Sequence, residues 1–183
     1  MRVSCAIAIA AVSLAEIGCG GAFATGRPWD AAAEATVFDD GIDVLDDPAK
    51  LAGEWAFRAR QDLDARSNLA DMVAVVTIVS VQTTKDVDGT EARRIDARVN
   101  DLLYGAAPDR SLALKSSATS LGYSLVTRHE GRLTGSFIVF LRWFEQEDGT
   151  IGHHFHLSPS SPEISEQVRK YVRARVAKEA ANE

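Results

Sequence analysis

The central part of the chain alternates between apolar and polar positions with the period of β-strands. Residues 72–81 (MVAVVTIVSV) are rich in β-branched side chains and apolar on both faces, which predicts a buried strand. Residues 92–99 alternate cleanly, so that Ile95, Ala97 and Val99 share one face. Turn signals at Asp88-Gly89 and Asp148-Gly149 predict two hairpins. The predicted strands are residues 72–81, 92–99, 112–115, 137–144 and 151–157.

Two segments with helical periodicity flank these strands. Asp47 is suited to an N-cap and Pro48 to the first helical position, and Leu51, Trp55, Ala59 and Leu63 then recur every fourth residue. The second helix begins at Ser161-Pro162-Glu163, and its apolar stripe is Ile164, Val168, Tyr171, Val172 and Val176. Residues 116–134 have no clear period, and residues 123–126 fit either a strand or a loop.

These elements predict one mainly β domain with flanking helices, of the α+β class, over residues 48–183. Two forms fit the pattern: a small antiparallel barrel, or a strongly curved sheet of five to six strands. In both forms one helix precedes the strands and one follows them.

The first residues have the pattern of an export signal. Arg2 precedes an apolar run over residues 3–15, which is too short to span a bilayer as a helix. Gly18-Cys19 resembles a lipoprotein cleavage site, where Cys19 would be lipidated, although Glu16 replaces the usual Leu. Ala22-Phe23-Ala24 offers ordinary signal-peptidase cleavage instead. Both routes for residues 1–24 predict export to a bacterial cell envelope, with the protein lipid-anchored in one and periplasmic or secreted in the other.

Charge and cysteine content narrow the possible partners. Both cysteines, Cys5 and Cys19, lie in the export segment, so the mature domain is expected to have no disulfide and to depend on its core. A net charge of −6 is unsuited to nucleic acid, which requires a basic surface. The sequence leaves the oligomeric state open, and it predicts contact with a membrane only through a lipid anchor.

Residues 25–47 are predicted to form an acidic, disordered tether. Seven acids and no base lie between Arg27 and Lys50, and the apolar residues among them follow no sustained period. The D-x-D-x-D-G spacing of a calcium loop is missing. A solvated spacer between the envelope and the domain is the resulting interpretation.

Three strand patterns resemble a known family. They are Ala70-Asp71-Met72-Val73, residues 99–103 followed by Tyr104-Gly105, and residues 135–141 (GSFIVFL). Together they are similar to secreted bacterial domains of the netrin-module type, related to tissue inhibitors of metalloproteinases. The resemblance covers roughly residues 70–145 and implies an oligonucleotide/oligosaccharide-binding-type barrel. The animal inhibitors reach a catalytic zinc through an N-terminal, disulfide-held cysteine. No cysteine follows residue 19 in this chain, so inhibition by that mechanism is not implied.

The histidine-rich stretch at residues 153–156 (HHFH) is the strongest candidate for catalytic chemistry. In a strand, His154 and His156 share one face at about 6–7 Å, which suits two ligands of one zinc ion. His129 is the nearest candidate for a third ligand, with Glu130 beside it. A metal-dependent hydrolase is therefore one hypothesis, and a strand whose imidazoles face solvent is the alternative.

Binding without catalysis is the other functional hypothesis. The chain has no G-x-S-x-G, G-x-x-x-x-G-K, G-x-G-x-x-G or C-x-x-C motif. Tyr123, Trp143 and Phe144 are candidates for exposed aromatic contacts with an envelope protein or a glycan, with core packing as their alternative role. The sequence thus predicts a non-catalytic envelope binding module.

Overall fold

A computed structural model describes residues 28–44, 54–146 and 149–182. The five predicted strands are confirmed, each with longer bounds. In chain order the elements are α1 (Ala31–Glu34), β1 (Gly41–Ile42), α2 (Glu54–Leu69), β2 (Met72–Lys85), β3 (Glu91–Gly105), β4 (Ser111–Ser117), α3 (Tyr123–Arg128), a 3₁₀ turn (Glu130–Arg132), β5 (Gly135–Glu145), β6 (Ile151–Pro159) and α4 (Pro162–Ala180).

The strands form one curled sheet in the order β1-β6-β5-β2-β3-β4. Neighbouring strands are antiparallel except β1, which runs parallel to β6. Irregular pairing between β2 and β3 follows Val73, Val75 and Ile78, and such bulges increase the bend and twist of a strand. Because β1 and β4 end the sheet, the barrel stays open. The predicted α+β class is confirmed in its curved-sheet form.

Two apolar layers stabilise this sheet. The concave face encloses one layer, to which β2 contributes Met72, Ala74 and Val76. The convex face carries Val73, Ile138 and Phe140, and α2 and α4 cover them. Fully burying one such side chain contributes roughly 1.5–3 kcal/mol, so the helices hold one end of the convex face firmly. Among the described residues, no helix covers the other end of that face.

The start of α4 matches the predicted signals. Ser161 Oγ accepts a hydrogen bond from the Ile164 amide at 3.3 Å, and the proline lies in the first turn. Val168 and Val172 are buried as the stripe predicts, whereas Val176 is exposed. The predicted start of the first long helix, Asp47-Pro48, lies outside the described residues.

Two predictions for the loops are wrong. Residues 123–126 are neither strand nor loop but belong to α3, a six-residue helix that packs against β1, β3 and β4. Residues 28–44, the greater part of the predicted tether, are folded onto the domain as α1 and β1. Phe38 lies in the convex core at 1% exposure, so this segment is not a solvated spacer.

The predicted export segment, residues 1–24 with Cys19, lies outside the described residues, as do residues 25–27 and 45–47 of the tether. Within the described ranges, no helix is both long and apolar enough to cross a lipid bilayer.

Candidate functional site

Two of the histidines that the sequence indicates, His154 and His156, meet carboxylates where residues 28–44, here called the acidic segment, lie against β6. β1 pairs with β6 through Gly41 beside His156 and Ile42 beside Leu157. The Asp40 amide donates to the Phe155 carbonyl at 2.9 Å on the same edge. The acidic segment therefore extends the sheet by one short strand and carries its carboxylates to the histidines of β6.

His156 lies between two of these carboxylates. Its Nδ1 is 2.7 Å from Asp39 Oδ1, and its Nε2 is 3.0 Å from Asp43 Oδ1. The second contact does not have the geometry of a hydrogen bond, so it acts mainly through charge. The other oxygen of Asp43 accepts hydrogen bonds from Ser158 Oγ at 2.6 Å and from Arg66 Nη1 at 2.8 Å. Two carboxylates and two cationic groups thus share one buried cluster. We call it the His156 cluster, and its members are Asp39, Asp43, His156 and Arg66.

The charges of this cluster shift the pKa of its members in opposite directions. Burial alone lowers the pKa of His156, but the charge on Asp43 and the hydrogen bond with Asp39 raise it above its ordinary value. Burial alone raises the pKa of Asp43, but His156, Arg66 and Ser158 hold it far below its ordinary value. The cluster therefore favours an imidazolium paired with carboxylates near neutral pH.

A second buried cation, Arg142 on β5, binds the beginning of the acidic segment. Its guanidinium is fully buried and lies 2.7 Å from Asp71 Oδ2 and 3.4 Å from Glu34 Oε1. It also donates to the carbonyl oxygens of Pro28 at 3.1 Å and Trp143 at 2.5 Å. Glu34 is itself buried in α1, and because burying a carboxylate is costly, the contact with Arg142 offsets part of that cost. The Arg142 guanidinium therefore links α1 to the centre of the sheet.

His154 makes a third contact with the acidic segment. Its Nδ1 lies 3.0 Å from Asp40 Oδ2, and Asp40 Oδ1 accepts a hydrogen bond from the Phe155 amide at 3.1 Å. The imidazole stacks on Phe144 with a centroid distance of 4.8 Å and packs against Trp29 at 4.4 Å. Its position is therefore fixed by a carboxylate and two aromatic rings.

Two glycines allow the acidic segment to touch the loop before α3. The Gly122 amide donates to the Asp39 carbonyl at 2.7 Å, and Ser120 Oγ donates to Asp40 Oδ2 at 2.9 Å. A Cβ built on Gly122 would lie 2.3 Å from the Cα of Gly41. The two backbones can approach this closely only because neither residue has a side chain.

His153 points to the opposite face of β6 from its neighbours. Its ring packs edge-on against Trp143 at 5.3 Å and lies near the Ala113 backbone on β4. Burial is the main reason that its pKa falls below the ordinary value. His153 therefore bridges the opening between β6 and β4.

The predicted zinc site is not formed by the described residues. His154 and His156 do face the same side of β6, as the strand period predicts, but each contacts carboxylates of the acidic segment. His129 follows α3 and lines a cleft with Leu133 and Phe137. In the part of the chain that the structure describes, no group of three or more His, Cys, Asp or Glu is arranged to hold a metal ion.

The three aromatic side chains that the sequence offered as binding contacts, Tyr123, Trp143 and Phe144, are all half-buried. Trp143 packs at the margin of the concave core, and Phe144 stacks on His154. The Tyr123 hydroxyl donates to Glu91 Oε1 at 2.6 Å, and its ring lies beneath the Arg93 guanidinium. Each ring thus has a packing role within the domain.

A different surface is open, and no sequence motif indicated it. The end of the convex face that α2 and α4 leave bare has a groove of about 390 Å³ across β2, β3 and β4. Val79, Arg94 and Arg98 line it, together with the small residues Ala97, Ser111 and Ala113. The alternation in residues 92–99 predicted that these arginines face water, but it could not show that small residues of β4 lie beside them.

Comparison of the chain with protein-family models, with curated protein sequences and with solved structures finds no match. The contacts described above are therefore the basis for an interpretation of function. Two features of the structure are relevant: charged groups that are paired with one another inside the domain, and a groove whose side chains face solvent.

Proposed function

We propose that this protein is an exported, non-catalytic interaction module of a bacterial cell envelope. In this proposal it binds an envelope protein or glycan through the groove on β2, β3 and β4. The observation that supports the proposal most directly is Arg98, whose exposed guanidinium lines the groove and has no ion pair with any described residue.

The charges around the groove indicate the chemistry of the ligand. Arg94 Nε donates to Asp96 Oδ1 at 2.9 Å, and Ser80 Oγ donates to the second oxygen of Asp96 at 2.9 Å. Asp96 is thereby neutralised by Arg94, while Arg98 adds a positive charge to a chain whose net charge is −6. Arginine binds carboxylates in a two-pronged geometry, so a ligand that presents a carboxylate fits this groove.

The metal-dependent hydrolase hypothesis gains no support from the described residues. His154 and His156 face carboxylates of the acidic segment, and His153 faces Trp143 and the Ala113 backbone. These contacts give each of the three imidazoles a structural role. We therefore keep binding as the proposed function.

A photo-crosslinking amino acid at position 113 tests the proposed ligand surface in living cells. Ala113 is exposed inside the groove, so we expect irradiation to give one discrete adduct of higher mass. Arg98→Glu reverses the charge beside it and should reduce that adduct at least about tenfold, the effect of about 1.4 kcal/mol.

Matched controls on α4 distinguish specific binding at this surface from nonspecific crosslinking. The photo-crosslinker at Ala174 should give no adduct, and Arg173→Glu should leave the adduct from position 113 unchanged, because both residues are exposed on α4. An adduct that is equally abundant with and without the Arg98→Glu substitution, or no adduct from position 113, would contradict the proposal.

Location is tested independently of binding. Incorporation of labelled palmitate that disappears in Cys19→Ala supports a lipid anchor. A mature soluble protein that begins at Thr25 supports ordinary cleavage and export. A protein that stays in the cytoplasm with its first residues intact would contradict the envelope location.

A further inference from the structure

The edge of β2 that faces away from β3 is paired over only half of its length. β5 pairs with residues 72–78 of β2 and begins at Gly135, opposite Ile78. Residues 79–85, here called the free edge, have no partner strand on this side in the described ranges. On the other side, residues 80–85 pair with β3, and Val79 lies in the bulge that follows Ile78. Alternate residues of such an edge direct unpaired N–H and C=O groups outward, ready to pair with another strand.

The composition of the free edge suits strand pairing. Its sequence is VSVQTTK, which contains no glycine or proline and a single charge, at Lys85. β-branched residues and low charge favour extended pairing, whereas charged residues commonly protect sheet edges. Val79 is 67% exposed, so the edge also offers an apolar side chain to an incoming strand.

We propose that the free edge pairs antiparallel with the same edge of a second copy of this chain. A two-fold axis at Gln82 then places Val81 beside Thr83, Ser80 beside Thr84, and each Gln82 beside its counterpart. Val79 lies beside Lys85 of the other copy, whose methylene groups can cover it. No like charges face each other, because the two Lys85 side chains lie at opposite ends of the ladder.

The length of the free edge determines how tight this dimer is. A seven-residue ladder is about 24 Å long and its contact area is at the low end for specific interfaces, so we expect a weak, concentration-dependent dimer. This interface is isologous, since the same residues contribute on both sides, and it therefore closes at two copies. Val79 belongs to both surfaces, but the dimer forms through the backbone of the free edge and the groove ligand through Arg98, so Gln82→Lys and Arg98→Glu test the two proposals separately.

Analytical ultracentrifugation of the purified protein over about 5 to about 500 µM tests the dimer. The wild-type weight-average mass should rise toward twice the monomer mass. Gln82→Lys and Gln82→Glu each place like charges on the two-fold axis and should each reduce association at least about tenfold. An equimolar mixture of the two variants should recover the wild-type mass, because opposite charges then face each other.

Gln61→Lys is the matched control, since Gln61 is exposed on α2 and far from the free edge in sequence. It should associate like the wild type. Four results would each overturn the inference: a monomer at every concentration, unchanged association in Gln82→Lys, no recovery in the mixture, or an equal loss in Gln61→Lys. If the protein stays monomeric and its free edge binds a foreign extended peptide instead, the inference is likewise overturned.

Discussion

Replacing His156 by Phe keeps a ring of similar size in the core but removes both nitrogens of the His156 cluster. Asp43 keeps Arg66 and Ser158 as partners, whereas Asp39 loses its contact with the imidazole. Removing one member of a buried ion pair costs about 3–5 kcal/mol. The Asp39 and Asp43 side chains are 19% and 28% exposed, so we expect the lower end of that range, about 3 kcal/mol at pH 5.

The loss should depend on pH with a sign set by the two pKa shifts. The pKa of folded His156 is raised above 6.5, so its contribution is fully present below pH 6.5 and is lost as pH rises through the folded value. The pKa of folded Asp43 is lowered from 3.8, so its contribution is present above pH 3.8 and lost below it. His156→Phe should therefore cost most between these limits and less at alkaline pH.

Urea unfolding followed by tryptophan fluorescence at pH 5 and about pH 8.5 measures this difference. His153→Phe is the matched control, because burial lowers the pKa of His153 and makes its protonation on acidification destabilising. The His153 variant should thus gain stability relative to wild type at the lower pH, the opposite trend. A loss under about 1 kcal/mol in His156→Phe, or an equal loss at both pH values, would refute the reasoning.

Two further substitutions test other contacts of the acidic segment by urea unfolding. Gly122→Ala should cost about 2–3 kcal/mol because its Cβ meets the Gly41 backbone, whereas Gly131→Ala, with open space around it, should be neutral or slightly stabilising. An equal change in unfolding free energy for Gly122→Ala and Gly131→Ala would contradict the close approach of the Gly41 and Gly122 backbones. Arg142→Met should cost about 3–5 kcal/mol and Arg142→Lys should restore little, since a single ammonium cannot replace the planar guanidinium. A fully stable Lys variant would contradict that account.

The strands could be predicted because their signal is local. Alternation over residues 92–99 depends only on which face of β3 each residue occupies, and the structure buries Ile95 and Ala97 accordingly. The start of α4 was likewise predicted from adjacent residues, because Ser161 caps its own helix. By contrast α3 is six residues long, and no side chain caps it. Its position depends on packing against β1 and β3, which sequence periodicity does not report.

The acidic segment could not be predicted because its partners are distant in the chain. Asp39 pairs with a histidine 117 residues away, and Glu34 pairs with Arg142 across 108 residues. Without these partners a run of acids has the composition of a solvated spacer. The prediction that His154 and His156 share a face was correct, but carboxylates on that face bind them. Local pattern thus identified the residues and missed their role.

Hydrogen exchange at the amides of Asp40 and Asp43 tests most directly whether the acidic segment is part of the folded domain. These amides donate to the carbonyl oxygens of Phe155 and Leu157 at 2.9 and 2.8 Å. We expect both to be protected at pH 6, with opening free energies close to those of amides in β5. Exchange at the rate of an unstructured peptide at both positions would show a tether and would contradict the account.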